Sequence, residues 1–168
     1  QRHLGLGYEE SKAIVDGFVA MNWMASEQEH HIYRLNKTNP SNNALLPFER
    51  VQYKKLNSKQ QEVYNFQKVS GLLAEYGYTT FRFSDDWNGA DFLAVHFDGK
   101  TYLKVQLKGR LTFDKKYCGK NIWICFRRLD AVYMYPHDEL LAHALKVTQI
   151  GKSRSWLGEN GGYSSPGL

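Results

Sequence analysis

The sequence is short of cysteine. Cys118 and Cys125 are its only two, which excludes a disulfide-framed secreted scaffold and falls short of the four closely spaced ligands of a structural zinc site. Two reduced thiols in a cytoplasmic protein is the expectation. Long apolar runs are missing as well. Nothing approaches the roughly 20 residues of a membrane-spanning helix. No stretch reads as a signal peptide; the chain opens on Gln1, which leaves a removed targeting segment open. No repeats, no phosphate-binding glycine loop and no Ser-His-Asp pattern are found. The pairs His30-His31 and His137-x5-His143 lack further ligands at a recognised metal spacing.

What is present is a globular composition, with 42% hydrophobic residues in 168, enough for one domain with a core. The formal charge is +5, and it is unevenly spread: Asp98 to Arg128 holds nine lysines and arginines against two aspartates, so this segment is +7 and the remainder −2. A local basic concentration is the footprint of a phosphate-backbone binder, and equally of a solvated charged hairpin.

Three parts are expected. Residues 1–57 form a helical extension and linker: Ile14, Phe18 and Met21 recur at helical spacing within Tyr8 to Arg34, and Asn36 to Asn43 is polar. Residues 58–150 form the core. A helix starts at Ser58 with a capping box to Gln61, presents Phe66, Val69, Ser70 and Leu73 inward, and stops at Gly77. Strands are expected near 79–83, 91–97, 101–111, 121–127 and 131–135, then a helix from Asp138 to Val147. Residues 151–168, with five of fourteen glycines, read as an irregular tail. The fold class is α/β (α+β), a mixed β-sheet flanked by helices.

The chemistry concentrates in one hairpin. Asp98-Gly99 reads as a two-residue type I′ turn, which puts Phe97 opposite Lys100 and therefore Asp91 opposite Gln106. Opposed residues share a face with Cβ atoms about 5 Å apart, and Lys108, two residues on, shares it too. Phe92, Ala94, Leu103, Val105 and Leu107 make the other face apolar. An acid, an amide and a lysine side by side suit phosphodiester chemistry: Asp91 and the Gln106 carbonyl can hold Mg²⁺ through oxygen, and Lys108 can orient water and stabilise charge developing on phosphorus.

In these residues, the aspartate of GADFLA and the Q-L-K of KVQLKG, the segment from Ser58 to Leu145 resembles the PD-(D/E)XK nuclease superfamily. The resemblance implies a restriction-endonuclease-like core, Mg²⁺ (or Mn²⁺) dependence and DNA as partner, with an acid on the first helix, for which Glu62 fits better than the outward Glu75. The sequence departs from the family pattern at Ala90, in place of proline, and at Gln106, in place of an acid. Glutamine there occurs in Mrr-like restriction enzymes and some intron-encoded homing endonucleases, which implies site-specific duplex cleavage, with a homodimer for cutting two strands. A neutral ligand weakens the metal site, so a catalytically inactive nucleic-acid-binding module, or a protein-interaction domain, stays open beside the endonuclease. Arg110, Lys115, Lys116 and Lys120 are expected phosphate contacts and Tyr117 a stacking partner. Asp85 and Asp86 read as loop caps or extra metal ligands, and Arg127 and Arg128 equally as surface charges.

Overall fold

The computed structural model describes residues 24–26, 51–128 and 131–165. Its centre is a mixed sheet of five strands: β2 (Tyr78–Trp87), β3 (Ala90–His96), β4 (Tyr102–Lys108), β6 (Ile122–Arg128) and β7 (Ala131–Pro136). The three-residue β1 (Met24–Ser26) adds to one edge, giving the order β1-β7-β6-β4-β3-β2. All neighbours are antiparallel except β4 and β6, which are parallel. The strand at Met24–Ser26 interrupts the helix expected over 8–34; the rest of that helix, the linker and the apolar patch at 44–48 lie outside the described residues.

Two helices cover the two faces. Helix α1 (Ser58–Glu75) buries Val69 and Leu73 against Phe92, Ala94 and Val105, with Phe66 edge-on to the Phe92 ring at 5.3 Å. Helix α2 (His137–Val147) buries Leu140, Leu141 and Ala144 against Ile122, Ile124, Phe126 and Tyr135. Strand alternation explains the division, since Cys125 points to the first cluster while Ile124 and Phe126 point to the second. Among the described residues no helix is long and apolar enough to cross a membrane.

Helix α1 begins one residue earlier than its capping pattern suggests. Asn57 accepts from Gln60 N and the Gln60 side chain accepts from Asn57 N, both at 2.9 Å. Asn57 and Ser58 are both good caps, and the one whose third follower can reach back completes the box. The other end matches the expectation, with Gly77 at φ +78 following the last turn.

The turns differ from the expectation more than the strands do. Asp98-Gly99 is not a two-residue turn. His96 N donates to Thr101 O, leaving 97–100 as a four-residue loop. The Asp98 carboxylate closes it by accepting from Lys100 N, Thr101 N and Thr101 Oγ1 at 2.6–2.8 Å. A four-residue loop centred on the same bond conserves the register, and Phe92↔Val105 to Val95↔Tyr102 pair as expected. The two-residue turn is instead Asn88-Gly89, with φ of 56 and 94 and Trp87 facing Ala90. Positive φ at both central positions is what a type I′ turn requires.

Within the segment expected as an irregular tail, residues 151–165 contain regular elements. Helix α3 (Arg154–Leu157) leads to β8 (Gly162–Ser164), which pairs antiparallel with β5 (Thr112–Asp114). Gly161 is required by packing: a Cβ there would lie 2.0 Å from Trp156 O. The segment after residue 150 is therefore tied to the β4–β6 crossover.

Candidate active site

A local irregularity in β2 builds the cleft. Its pairing runs from Tyr78↔His96 to Arg82↔Phe92 and resumes at Trp87↔Ala90. Residues 83–86 are thus crowded opposite Asp91, where extra residues must leave the ladder. Asp85 and Asp86, expected in a loop, lie in this bulge. It lines a cleft of about 380 Å³ together with Glu62, Arg82 and Asp91. Asp86 also fastens the turn, its Oδ1 accepting from Gly89 N at 2.6 Å, so its capping role and its place in the cleft coexist.

Asp91 and Gln106 meet as the register requires. Gln106 Nε2 donates to Asp91 Oδ2 at 2.5 Å, and Leu107 N donates to the same oxygen at 2.7 Å. The Gln106 amide nitrogen also reaches Leu107 O at 3.3 Å. Gln106 is only 8% exposed, so its amide must be satisfied locally. The side-chain carbonyl expected to face a metal is the part of the amide left outside these bonds. Burial pushes the Asp91 carboxyl above its ordinary range and the charges of Glu62 and Asp86 push the same way, against the Leu107 hydrogen bond and the Lys108 charge.

Glu62 reaches the cleft from α1, more exposed than an inward stripe implies. Lys59 binds it at 3.0 Å and Arg82 of β2 pairs with it directly. The Lys59 hydrogen bond, with the charges of Lys59 and Arg82, holds its carboxyl below the usual value. Two carboxylates of one cleft are thus tuned in opposite directions, Asp91 towards the acid and Glu62 towards the anion.

Lys108 lies on the Gln106 face, since Gln106 pairs with Ile124 and Lys108 with Phe126 on β6. Its Nζ sits 5.2 Å from the centroid of the Tyr117 ring, with Lys116 Nζ 5.0 Å from the same ring. Tyr117 is 1% exposed and belongs to the core. Its expected role as a base-stacking partner is therefore corrected: the ring is committed to packing and to the two ammonium groups. Lys115 is also engaged internally, donating to Gly158 O at 3.1 Å and lying over Trp156. Arg110, Lys116 and Lys120 stay exposed, Lys116 paired with Asp114 at 3.7 Å.

A second constellation, unnoticed in the sequence because its members are distant in it, joins Cys118, His137 and Asp138, whose ligand atoms lie within 4.8 Å of one another. The imidazole has no lone pair to spare. Nε2 accepts from Asp114 N at 3.2 Å and Nδ1 contacts Asp138 Oδ1 at 2.8 Å, while Asp138 Oδ2 accepts from Gly119 N. Burial raises the Cys118 thiol, away from the thiolate a metal needs. The group fastens the β4–β6 crossover to the start of α2.

Comparison with protein-family models, curated proteins and solved structures finds no match to this chain.

Proposed function

We propose that the chain is a metal-dependent DNA endonuclease, a phosphodiester hydrolase on a restriction-endonuclease-like core, acting site-specifically on duplex DNA. The observation that carries this reading is Asp91 bonded to Gln106 at the edge of a cleft that also gathers Glu62, Asp85 and Asp86, with Lys108 two residues beyond Gln106 on the same strand face. The mixed sheet flanked by helices agrees with it. So does the +7 segment, which supplies β4, the crossover and β6.

The donor set fits a hard divalent cation. Every candidate ligand is an oxygen: Asp91, the Gln106 carbonyl and the cleft carboxylates, with Glu62 released from Arg82 or kept beside it. The charges of Glu62 and Asp86 push the Asp91 carboxyl up, and such an ion relieves that repulsion. Mg²⁺, or Mn²⁺ in its place, would supply Lewis-acid polarisation of the scissile phosphate and a more acidic water. The chain's own residues do the rest. Leu107 N and Gln106 Nε2 fix the Asp91 carboxylate, and Tyr117 restrains the Lys108 ammonium near the reacting phosphate. In hydrolysis the water oxygen bonds to phosphorus, one ester P–O bond breaks, and the water's proton departs while the leaving oxygen gains one from solvent. Lys108 offsets the charge that builds up on the phosphate oxygens.

The test is a cleavage screen of duplex, branched and single-stranded DNA with Mg²⁺ or Mn²⁺, with Lys108→Ala as control. Metal-dependent cutting lost in the variant is expected; no cutting of any substrate, or full activity in the variant, refutes the reading. The neutral Gln106 and the raised Asp91 favour one alternative, a binding module without chemistry. It requires salt-sensitive DNA binding with no saturable Mg²⁺ binding at Asp91.

A further inference from the structure

At the same end of the sheet as Asp91, beyond the carboxyl ends of parallel strands β4 and β6, lies a second, smaller cavity of about 130 Å³. Arg110, Arg128 and Ser165 line it, over a floor of Leu111 and Phe126. Neither Arg110 nor Arg128 forms an ion pair with a described residue. Ser165 is 1% exposed, yet its Oγ has no hydrogen-bond partner among the described residues. Arg127 also contributes to the lining, but its guanidinium lies over the Tyr64 ring and reaches Asn65 of α1. A buried hydroxyl without a partner is unfavourable, and the two arginines of the same lining carry fork-shaped donors. A tetrahedral oxyanion satisfies all three.

We propose that this cavity is a phosphate-binding pocket that takes a backbone phosphate of the nucleic acid next to the one at Lys108. The assignment to nucleic acid rests on the nuclease reading; the phosphate chemistry does not. Lys108 pairs with Phe126, and Arg128 follows Phe126 by two residues of β6, while Arg110 follows Lys108 just past the end of β4. Two residues of strand are about 6.6 Å, the scale of one or two nucleotides along a strand. A phosphate held there fixes which bond faces Asp91.

Two measurements in EDTA, where no cleavage intervenes, test the pocket. Inorganic phosphate titrated into the full chain should shift the amide signals of Gly109, Arg110 and Ser165 saturably, and not in Arg110→Ala/Arg128→Ala. Anisotropy with a short labelled duplex should show that double variant binding about tenfold more weakly, with a salt slope smaller by about 1. Ser165→Ala should weaken binding without changing the slope. Since Arg128 is half-buried, Arg110→Ala alone, at an exposed position, supplies a variant that keeps the fold and should lose part of the slope. Unchanged phosphate shifts together with unchanged slope overturn the pocket. Duplexes with and without a 5′-phosphate should bind alike, and a requirement for the terminal phosphate overturns the assignment to the backbone. A chain that cuts DNA but fails these tests loses only the pocket. One that binds phosphate through Arg110 and Arg128 but neither binds nor cuts DNA loses the nuclease reading and keeps the pocket.

Discussion

Gln106 lies directly across from Asp91 and donates its amide N–H to the carboxylate at 2.5 Å. The amide thus does two things that an acid at this position could not do together. It stabilises Asp91 without adding charge, and it leaves a carbonyl for a cation. Replacing it separates the two effects. Gln106→Glu should lower the melting temperature in EDTA, because a second carboxylate against a buried one is repulsive. It should raise Mg²⁺ affinity, because a charged ligand replaces a neutral one. Thermal melts with and without Mg²⁺ read both; a variant at least as stable as the parent in EDTA contradicts the first.

Lys108→Ala should lower the cleavage rate by about 10²–10³, the range for removing one charge-stabilising donor from a hydrolytic site. Duplex affinity should change by less than tenfold. Tyr117→Leu, which keeps an apolar filler but removes the ring under the ammonium, should lower the rate with a smaller effect on substrate binding. Steady-state kinetics that split turnover from KM check both variants.

The Asp91 carboxyl, raised above its ordinary 3.8, gives stability a definite sign of pH dependence. A folded pKa above the unfolded one means that the contribution is fully present below about 3.8 and is lost as pH rises through the raised value. Without metal, the parent should therefore lose stability relative to Asp91→Asn across that window. Asp98, held low chiefly by Thr101, and Glu62, held low chiefly by Lys59, contribute the opposite slope. The difference between parent and variant isolates Asp91. A difference independent of pH from 3 to 7 disproves the burial argument.

Gly89 is needed for the turn that carries the bulge. A Cβ there would meet the Tyr117 ring at 3.0 Å, on a backbone with φ +94. Gly89→Ala should cost at least about 1–2 kcal/mol from the left-handed conformation alone, measured by urea denaturation. Asp86→Ala, which removes the acceptor of Gly89 N, should cost about 1 kcal/mol.

The two thiols should behave oppositely. Cys125 is buried and pushed up to about 12, so it should react with a thiol reagent only on unfolding. Cys118 is exposed and should label in the native state, slowly because its thiol is also raised. Native labelling of both would contradict the packing of β6.

The sequence was most legible where periodicity has a physical cause. The stripe Phe66, Val69, Ser70 and Leu73 lies on the sheet side of α1 because residues three and four apart share a helix face. The alternation of 92, 94, 103 and 105 appears as an apolar face because strand side chains alternate. The register of Asp91 against Gln106 was also correct, although its stated cause was not: the hairpin closes by a four-residue loop with an aspartate cap. The Asn88-Gly89 turn carries as strong a sequence signal, but a turn is recognised only once its flanking strands are.

By itself the sequence determined the strands and helices of the core, the face that holds Asp91, Gln106 and Lys108, and the basic segment that surrounds them. All of these follow from local spacing. Only the tertiary structure decided that Tyr117 belongs to the core and not to a binding surface, and that the Gly-rich end closes back on β5. It also decided that the bulge at 83–86 gathers Asp85 and Asp86 with Glu62 over Asp91. Each depends on contacts between residues far apart in the chain, where burial, and not residue type, sets what a side chain can do.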